Sequence, residues 1–276
     1  MSQAPLIVVG TGVAGWSTVR EFRKLDTATP VVLITTDSGD FYAKPTLSNA
    51  YAQKRTPAQL VTTPAAKMVE TLAITLMAHT QVLSFDTAAR TVTLQNSAGV
   101  QTLAFSQLVL ATGAHPIRVP LAGDAADAVQ SVNTLDDFAA FHQALGVDAS
   151  LPDSGKGKTV VVMGAGLIGC EFANDLAQAG VHVHVSDLAP RPLAALLPEA
   201  ASQQLESALA GLGIEWHFGT SVAKVEHGEG KRLSVTLSDG RSLVADSVLS
   251  AIGLRADTEL ARAAGLICEQ GVVVNA

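Results

Sequence analysis

Two short apolar runs in this chain each lead into a glycine-rich turn and then into apolar residues at helical spacing. Residues 5–9 end in Leu6-Ile7-Val8-Val9 and pass into Gly10-Thr11-Gly12-Val13-Ala14-Gly15. Further on, Val160-Val161-Val162-Met163 passes into Gly164-Ala165-Gly166-Leu167-Ile168-Gly169. A short unbroken apolar run bounded by turn formers predicts a buried strand. After the first turn, Val13, Trp16, Val19, Phe22 and Leu25 form the stripe of an amphipathic helix, with Arg20, Glu21, Arg23 and Lys24 facing out. After the second, Leu167, Ile168, Phe172, Ala173 and Leu176 form a similar face, and Gly180 predicts its C-cap.

The same order then continues in both halves. Strands are predicted at 31–35 and 181–185. A hairpin joins 92–94 to 100–103 around Asn96-Ser97-Ala98-Gly99, and another joins 233–237 to 243–244 around Asp239-Gly240. Closing strands at 108–113 and 247–253 each end in glycine. Strand, loop, helix, strand, hairpin and closing strand thus occur twice, which predicts an α/β protein built from a duplicated nucleotide-binding unit. Between the halves, residues 116–120 read Pro-Ile-Arg-Val-Pro, a stiff connector and the expected boundary. Thr134 and Asp137 predict a capping box before a helix at 135–145. Residues 57–75 read as helical in part, 41–48 as a loop over the ligand, and 153–158 as a solvated lead-in despite its lysines.

Gly-x-Gly-x-x-Gly between a strand and a helix has a physical rationale. The first glycine permits the tight turn, the second lets a pyrophosphate approach the main chain, and the third lets helix pack on strand. The phosphates then meet the helix N-terminus. Asp37 and Asp187 follow their loops at close to the roughly 20 residues at which an acid receives ribose hydroxyls. Each stands beyond the predicted end of its strand, so each either bends back to a ribose or is a surface acid. The first cation after Asp187 is Arg191, which favours NADH over NADPH, because a carboxylate repels the 2′-phosphate that an arginine would attract.

Composition narrows the field. The 276 residues are 48% apolar and 16% charged, a balance suited to parallel sheets covered on both faces. Both long apolar runs are broken by glycine and fall short of the roughly 18 to 20 residues of a membrane span, so no membrane is expected. Met-Ser-Gln-Ala-Pro at the N-terminus has no basic n-region, which predicts no signal peptide. A net charge of −7 speaks against nucleic acid as the main partner. The 2 cysteines, Cys170 and Cys268, form neither a disulfide framework nor a metal-ligand spacing, and both read as packed thiols in a reducing cytoplasm. His182 and His184 share a strand face, but no third ligand is evident, so a half-exposed pair without metal is expected.

Several strings carry a family resemblance over nearly the whole chain. Lys44-Pro45-x-Leu47-Ser48, Ala111-Thr112-Gly113-Ala114-x-Pro116-Ile117-Arg118-Val119-Pro120, the run GAGLIGCEFANDL from Gly164 to Leu176, and Ala251-Ile252-Gly253-Leu254-Arg255 resemble the two-dinucleotide flavoprotein reductases of the pyridine nucleotide-disulfide oxidoreductase family. The rubredoxin–NAD reductase branch, which lacks redox-active cysteines, is the most similar. The resemblance implies two Rossmann-like domains of the three-layer ββα FAD/NAD(P)-binding type. It divides the chain into 1–117 for FAD, 118–255 for NAD and 256–276 returning to the FAD domain. Gly10, Thr11, Gly12, Val13, Ala14, Gly15 and Asp37 would hold FAD, together with Lys44, Pro45, the main chain near Val82, Ala111, Thr112, Gly113 and Arg118. Gly164, Gly166, Leu167, Ile168, Gly169, Asp187 and Gly253 would hold NADH, with Glu171 reaching the nicotinamide amide or the flavin edge.

Glu171 and Lys44 are the catalytic candidates. The rival reading of Glu171 is a carboxylate favoured by the helix dipole, and that of Lys44 is a solvated lysine rather than a cation stabilising reduced flavin. Disulfide reductases of the family carry cysteine after the second strand, but residues 38–56 have none, so the expected acceptor is a one-electron carrier such as rubredoxin. Asn49, where ferredoxin reductases carry lysine, leans the same way. Lys54 and Arg55 could dock an acidic carrier or form an ordinary solvated patch. Reductases of ferredoxin or flavorubredoxin, or a binding module without turnover, are the alternatives; the oligomeric state stays open, with a monomer preferred. Relatives continue past a strand like 271–274 into an Ala-x-Gly-Asp segment and an interface domain, whereas this chain stops at Ala276, so the expectation is a truncated protein.

Overall fold

The computed structural model describes residues 3–148, 151 and 154–275. In chain order the elements begin β1 Leu6–Val9, α1 Val13–Leu25, β2 Val31–Ile34, α2 Pro57–Leu60, α3 Ala65–Leu72, β3 Thr75–Met77, β4 Gln81–Asp86, β5 Thr91–Asn96, β6 Gly99–Ala104, β7 Gln107–Leu110 and β8 Ala114–Pro116. They continue α4 Leu135–Leu145, β9 Thr159–Met163, α5 Leu167–Gln178, β10 His182–Asp187, α6 Glu199–Ala210, β11 Glu215–Phe218, β12 Val222–His227, β13 Leu233–Leu237, β14 Ser242–Ala245, β15 Ser247–Ser250, β16 Leu254–Ala256 and α7 Glu259–Ala263. The chain divides into two compact units, one of residues 1–43, 61–115 and 255–276, the other of 44–60 and 116–254.

In the first unit a parallel sheet of order β3-β2-β1-β7 carries the glycine loop at the C-terminal end of its β1 strand. Alternation along that strand fills two cores. Leu6 and Val8 pack with Trp16, Val19, Val31, Leu33 and Met68 on one face. Ile7 and Val9 pack on the other with Phe85, Val92 and Leu94 of the antiparallel β4-β5-β6 layer and with Phe105 just beyond it. Covering both faces is what lets these strands be apolar throughout. Trp16 is fully buried and donates its indole N–H to the Gly39 carbonyl at 3.2 Å.

The second unit repeats the plan. Its parallel sheet has order β11-β10-β9-β15, and an antiparallel β12-β13-β14 layer packs Val225, Leu233, Val235 and Leu237 with Val161, Met163 and Val248. The capping box is complete: Asp137 N–H donates to the Thr134 hydroxyl at 3.1 Å, and Thr134 N–H to Asp137 Oδ2 at 2.9 Å. No helix among the described residues is long and apolar enough to cross a membrane.

Several sequence expectations need correction. Val13, Leu25 and Leu167 are exposed, because the stripes of α1 and α5 run past the core at their ends. Arg23 does not simply face out; its guanidinium donates to the carbonyls of Leu72, Asp26, Thr29 and Ala73. Arg20 lies over the Phe41 ring at 4.9 Å. Within 41–48, expected to be a loop, Lys44–Asn49 forms a 3-10 turn, and 44–60 clusters with the second unit although the sequence reading placed it within 1–117. Cys170 is buried, but Cys268 is only partly so, and residues 271–274 form an isolated Cys268–Val272 bridge instead of a strand. Asp153 of the expected lead-in lies outside the described residues; at its other end Lys158 pairs with Asp246 at 3.6 Å.

Candidate functional site

Each glycine loop is shaped by the chain's own contacts at its first and third glycines. Gly10 and Gly164 adopt φ of +108° and +103°, a region glycine enters without steric cost. A Cβ on Gly15 would lie 1.8 Å from the Gly10 carbonyl oxygen, and one on Gly169 would lie 1.9 Å from that of Gly164. The middle glycines differ. Gly12 and Gly166 have φ of −66° and −75°, which any residue adopts, and a Cβ on either would meet nothing within 4 Å. Neither conformation nor internal packing requires glycine there. Both are helix N-caps without a side-chain hydrogen bond, so the first N–H groups of α1 and α5 have no capping side chain. Open space over an uncapped helix N-terminus suits a pyrophosphate, and both loops therefore fit a dinucleotide.

The acids after the second strands act first on these loops. Strand β10 runs two residues further than the sequence suggests, because Ser186 and Asp187 pair with His217 and Phe218, and the Asp187 carboxylate ends the strand. Asp187 Oδ2 accepts the Ala165 N–H at 2.5 Å, and Oδ1 accepts the Ala189 N–H at 2.7 Å. In the first unit Thr11 stands where Ala165 stands in the second. Its hydroxyl lies 2.8 Å from that of Thr35 and 3.1 Å from Asp37 Oδ1, which also accepts from the Thr35 hydroxyl and the Gly39 N–H. The first acid thus acts on its loop through threonine hydroxyls and the second acts directly. Arg191, the first cation after Asp187, donates to the Leu197 carbonyl at 2.9 Å.

Glu171 lies in α5 beyond the second loop. Its Oε2 accepts the Ser48 hydroxyl at 2.6 Å, the short distance of a charge-assisted bond. Ser48 belongs to the 3-10 turn at 44–49, and Asp175, one helical turn beyond Glu171, holds the chain that follows. Asp175 Oδ2 accepts the Tyr51 N–H at 3.0 Å, and Oδ1 accepts the Ala52 N–H at 2.7 Å. Asp175 is fully buried, and burial pushes its carboxyl up to about 6 against the lowering effect of these main-chain bonds. Tyr51 packs edge-on to Phe138 and stacks on His142, which ties the same segment to α4. On that turn Lys44 Nζ donates to Asn133 Oδ1 at 3.2 Å, and Asn49 donates to the Pro45 carbonyl at 3.0 Å.

The remaining expected site residues are distributed among other elements. Ala111 follows strand β7 and bonds Val9 through its N–H at 2.8 Å, while Gly113 turns at φ +74°. The Thr112 hydroxyl donates to the Asp257 carbonyl at 2.9 Å. Val82 is buried on β4 opposite Leu94. Gly253 has φ +115° and accepts the Ile117 N–H at 3.0 Å. Arg118 lines a cleft of about 270 Å³ with Asp127, Val129, Met163 and Ser250, at the C-terminal ends of β9 and β15. Just past the glycine loop, in α5, Cys170 donates to the Ala165 carbonyl, and burial pushes its thiol up to about 11, which disfavours the thiolate.

Ser48 and Asp175 were not singled out from the sequence. For Asp175 a signal existed: an acid between Ala173 and Leu176 on an otherwise buried helix face needs partners. For Ser48 the one signal was its place in the Lys44-Pro45-x-Leu47-Ser48 string, which gave it no role, since its partner is 123 positions away.

Known proteins place this geometry in context. The model of the pyridine nucleotide-disulphide oxidoreductase family matches residues 4–276. A rubredoxin-NAD(+) reductase of Acinetobacter baylyi is 41% identical over 272 residues, covering 98% of this chain and 67% of that protein. One of Alcanivorax borkumensis is 42% identical over 271 residues, covering 98% and 68%. Among solved structures, a covalent complex of putidaredoxin reductase with putidaredoxin matches with a TM-score of 0.85 at 29% identity, covering 98% of this chain and 63% of that one. The chain thus spans about two thirds of the length of these relatives. By the family match and the identity, the chain belongs to the pyridine nucleotide-disulphide oxidoreductase family.

Proposed function

We propose that this chain is the nucleotide-binding part of an FAD-dependent NADH:rubredoxin oxidoreductase. FAD, when bound, accepts a hydride from NADH and releases electrons singly to an iron protein. The observation that carries the reading is the pair of glycine loops, each with open space over its middle glycine, in a chain with no cysteine in residues 38–56. Without a thiol relay the outgoing electrons go to an external acceptor, and the relatives' names, rubredoxin-NAD(+) reductase and putidaredoxin reductase, support a small iron-sulfur carrier. A cytoplasmic setting, where both thiols stay reduced, fits this role.

Within that reading each residue has a task. The first loop, with Thr112 and Gly113, receives the FAD phosphates and ribitol side, and the second receives NADH. Asp187 holds the Ala165 N–H and presents its strand-end carboxylate to a ribose, and with Arg191 tied to the Leu197 carbonyl this favours NADH. Ser48 holds Glu171 in one orientation, from which the carboxylate can accept the nicotinamide amide N–H. Lys44, anchored to Asn133, supplies positive charge to reduced flavin. Lys54 and Arg55 offer cations to an acidic carrier.

The test is reconstitution. The purified chain loaded with FAD is expected to show the flavin band and to oxidise NADH faster with rubredoxin than with ferredoxin or flavorubredoxin. A colourless chain that FAD does not reconstitute would overturn the enzyme reading, and a preference for another carrier would reassign the partner.

A further inference from the structure

The second unit's edge strand brings together a group of donors that the nucleotide sites do not use. Register pairs His184 on β10 with Glu215 on β11, and His182 lies two residues earlier on the same face. His182 Nε2 is 3.1 Å from Glu215 Oε1, and His184 Nδ1 is 3.5 Å from Glu215 Oε2. One donor atom from each of the three residues lies within 4.8 Å of the others. Around a tetrahedral zinc ion, bonds of about 2.0 to 2.2 Å put neighbouring donors about 3.4 Å apart. The two measured separations, each to a different oxygen of the one carboxylate, fall on either side of that spacing.

The hydrogen-bond pattern behind the group indicates what is missing from it. Asp239 fixes the Arg241 guanidinium at 2.6 Å, and Arg241 Nη1 lies 2.9 Å from His217 Nδ1. A guanidinium only donates, so His217 Nδ1 accepts and its proton resides on Nε2. That Nε2 lies 3.1 Å from His184 Nδ1 and donates to it, so His184 Nδ1 is a lone-pair nitrogen. That lone pair is taken up by the His217 N–H, so His184 Nδ1 has no proton to offer the Glu215 oxygen 3.5 Å away, and two acceptor atoms stand side by side, an arrangement that a cation relieves once the ring exchanges partners. The sequence offered only the His182–His184 pair; the parallel pairing of β10 with β11 adds the third ligand.

We propose that His182, His184 and Glu215 form a binding site for a divalent transition-metal ion of the zinc class, with water in the fourth position, that fastens edge strand β11 to β10. Two imidazoles and one carboxylate are a borderline donor set, suited to zinc, nickel and copper rather than magnesium or calcium. Binding exchanges the His217–His184 hydrogen bond for a metal–nitrogen bond and takes the acceptor from the His217 Nε2–H, a cost that the metal–nitrogen bond must exceed. Arg241 keeps His217 outside the ligand set, because its positive charge disfavours a second cation at that ring.

The experiment titrates metal-stripped full chain with zinc against a chromogenic chelator and follows thermal unfolding with and without zinc. His182 and Glu215 are exposed enough for His182→Gln and Glu215→Gln to leave the fold intact. Wild type is expected to bind one zinc and unfold at a higher temperature with it, and each variant is expected to bind more than about tenfold more weakly and lose the thermal shift. His227→Gln, on β12, is expected to match wild type. Absence of zinc binding, or binding and thermal shift unchanged in both variants, would overturn the proposal. Cobalt, whose visible bands report coordination, is expected to show a tetrahedral spectrum in wild type only; an octahedral spectrum would refute the ligand set.

Discussion

Replacing Gly166 with alanine separates folding from nucleotide binding. The new Cβ meets no protein atom within 4 Å, and φ of −75° suits alanine. Alanine is a poorer N-cap than glycine by about 0.5 to 1 kcal/mol. The same change stiffens the unfolded chain and returns about 0.4 to 1 kcal/mol. The two nearly cancel, so the unfolding midpoint is expected within about 2 °C of wild type. Binding behaves differently, because the methyl group stands where a pyrophosphate would approach α5. Losing one charge-assisted bond of about 1.5 to 3 kcal/mol weakens NADH by about tenfold to a hundredfold. Gly169→Ala inverts the pattern: its Cβ would lie 1.9 Å from the Gly164 carbonyl oxygen, so the backbone must part, at about 3 kcal/mol or more. For a chain of this size that lowers the midpoint by about 6 to 12 °C. Fluorescence titration with NADH beside thermal unfolding by circular dichroism reads both effects, and Gly12→Ala, expected to spare NADH while weakening FAD, is the internal control. A Gly166→Ala chain that binds NADH as tightly as wild type would refute the reasoning.

Three further outcomes follow from the site. Glu171→Gln weakens the acceptor of the Ser48 hydroxyl and is expected to slow anaerobic flavin reduction by NADH about tenfold or more while leaving the fold stable; an unchanged rate would return Glu171 to a dipole-favoured surface acid. Asp175 titrates at about 6 in the folded chain against 3.8 in the unfolded one, so the folded state keeps a proton that the unfolded state has lost. Its contribution to stability is complete below about pH 3.8 and falls as pH rises through about 6, by on the order of 3 kcal/mol. Urea unfolding at about pH 4 and pH 7 should show that loss in wild type and not in Asp175→Asn, and parallel behaviour would exclude the assignment. Asp187→Ala frees the Ala165 N–H and removes the charge that repels a 2′-phosphate, so the preference for NADH over NADPH should narrow about tenfold; a preference that stays as wide would place discrimination elsewhere.

What could be read from the sequence was local. The glycine loops, the Thr134–Asp137 box and both hairpins depend on residues a few positions apart, and their signals survive in one dimension. The 3-10 turn at 44–49 could not be read in this way, since it has no apolar period and is held by Glu171, and the chain just after it by Asp175, from a distant helix. Charge misled at Arg23, where the carbonyls of Leu72 and Ala73 lie about 50 positions away and are invisible to any pattern of charges. Cys268 misled for the opposite reason: Leu266 and Ile267 look like core but are exposed. Glu215 became a neighbour of His182 and His184 only through strand pairing, the level at which sequence periodicity is silent.

The self-made shape of the two glycine loops bears on how nucleotides arrive. Ala111 and Ala251 carbonyl oxygens crowd Gly10 and Gly164, and the Gly10 and Gly164 carbonyls crowd Gly15 and Gly169, so each loop is wedged into its turn by main-chain atoms of the same unit. Such a socket is rigid before anything enters it, and capture therefore loses little backbone freedom. Nucleotide association is then expected as a single encounter step in stopped-flow fluorescence, with a rate linear in ligand concentration and without the slow saturating phase that an ordering loop would impose.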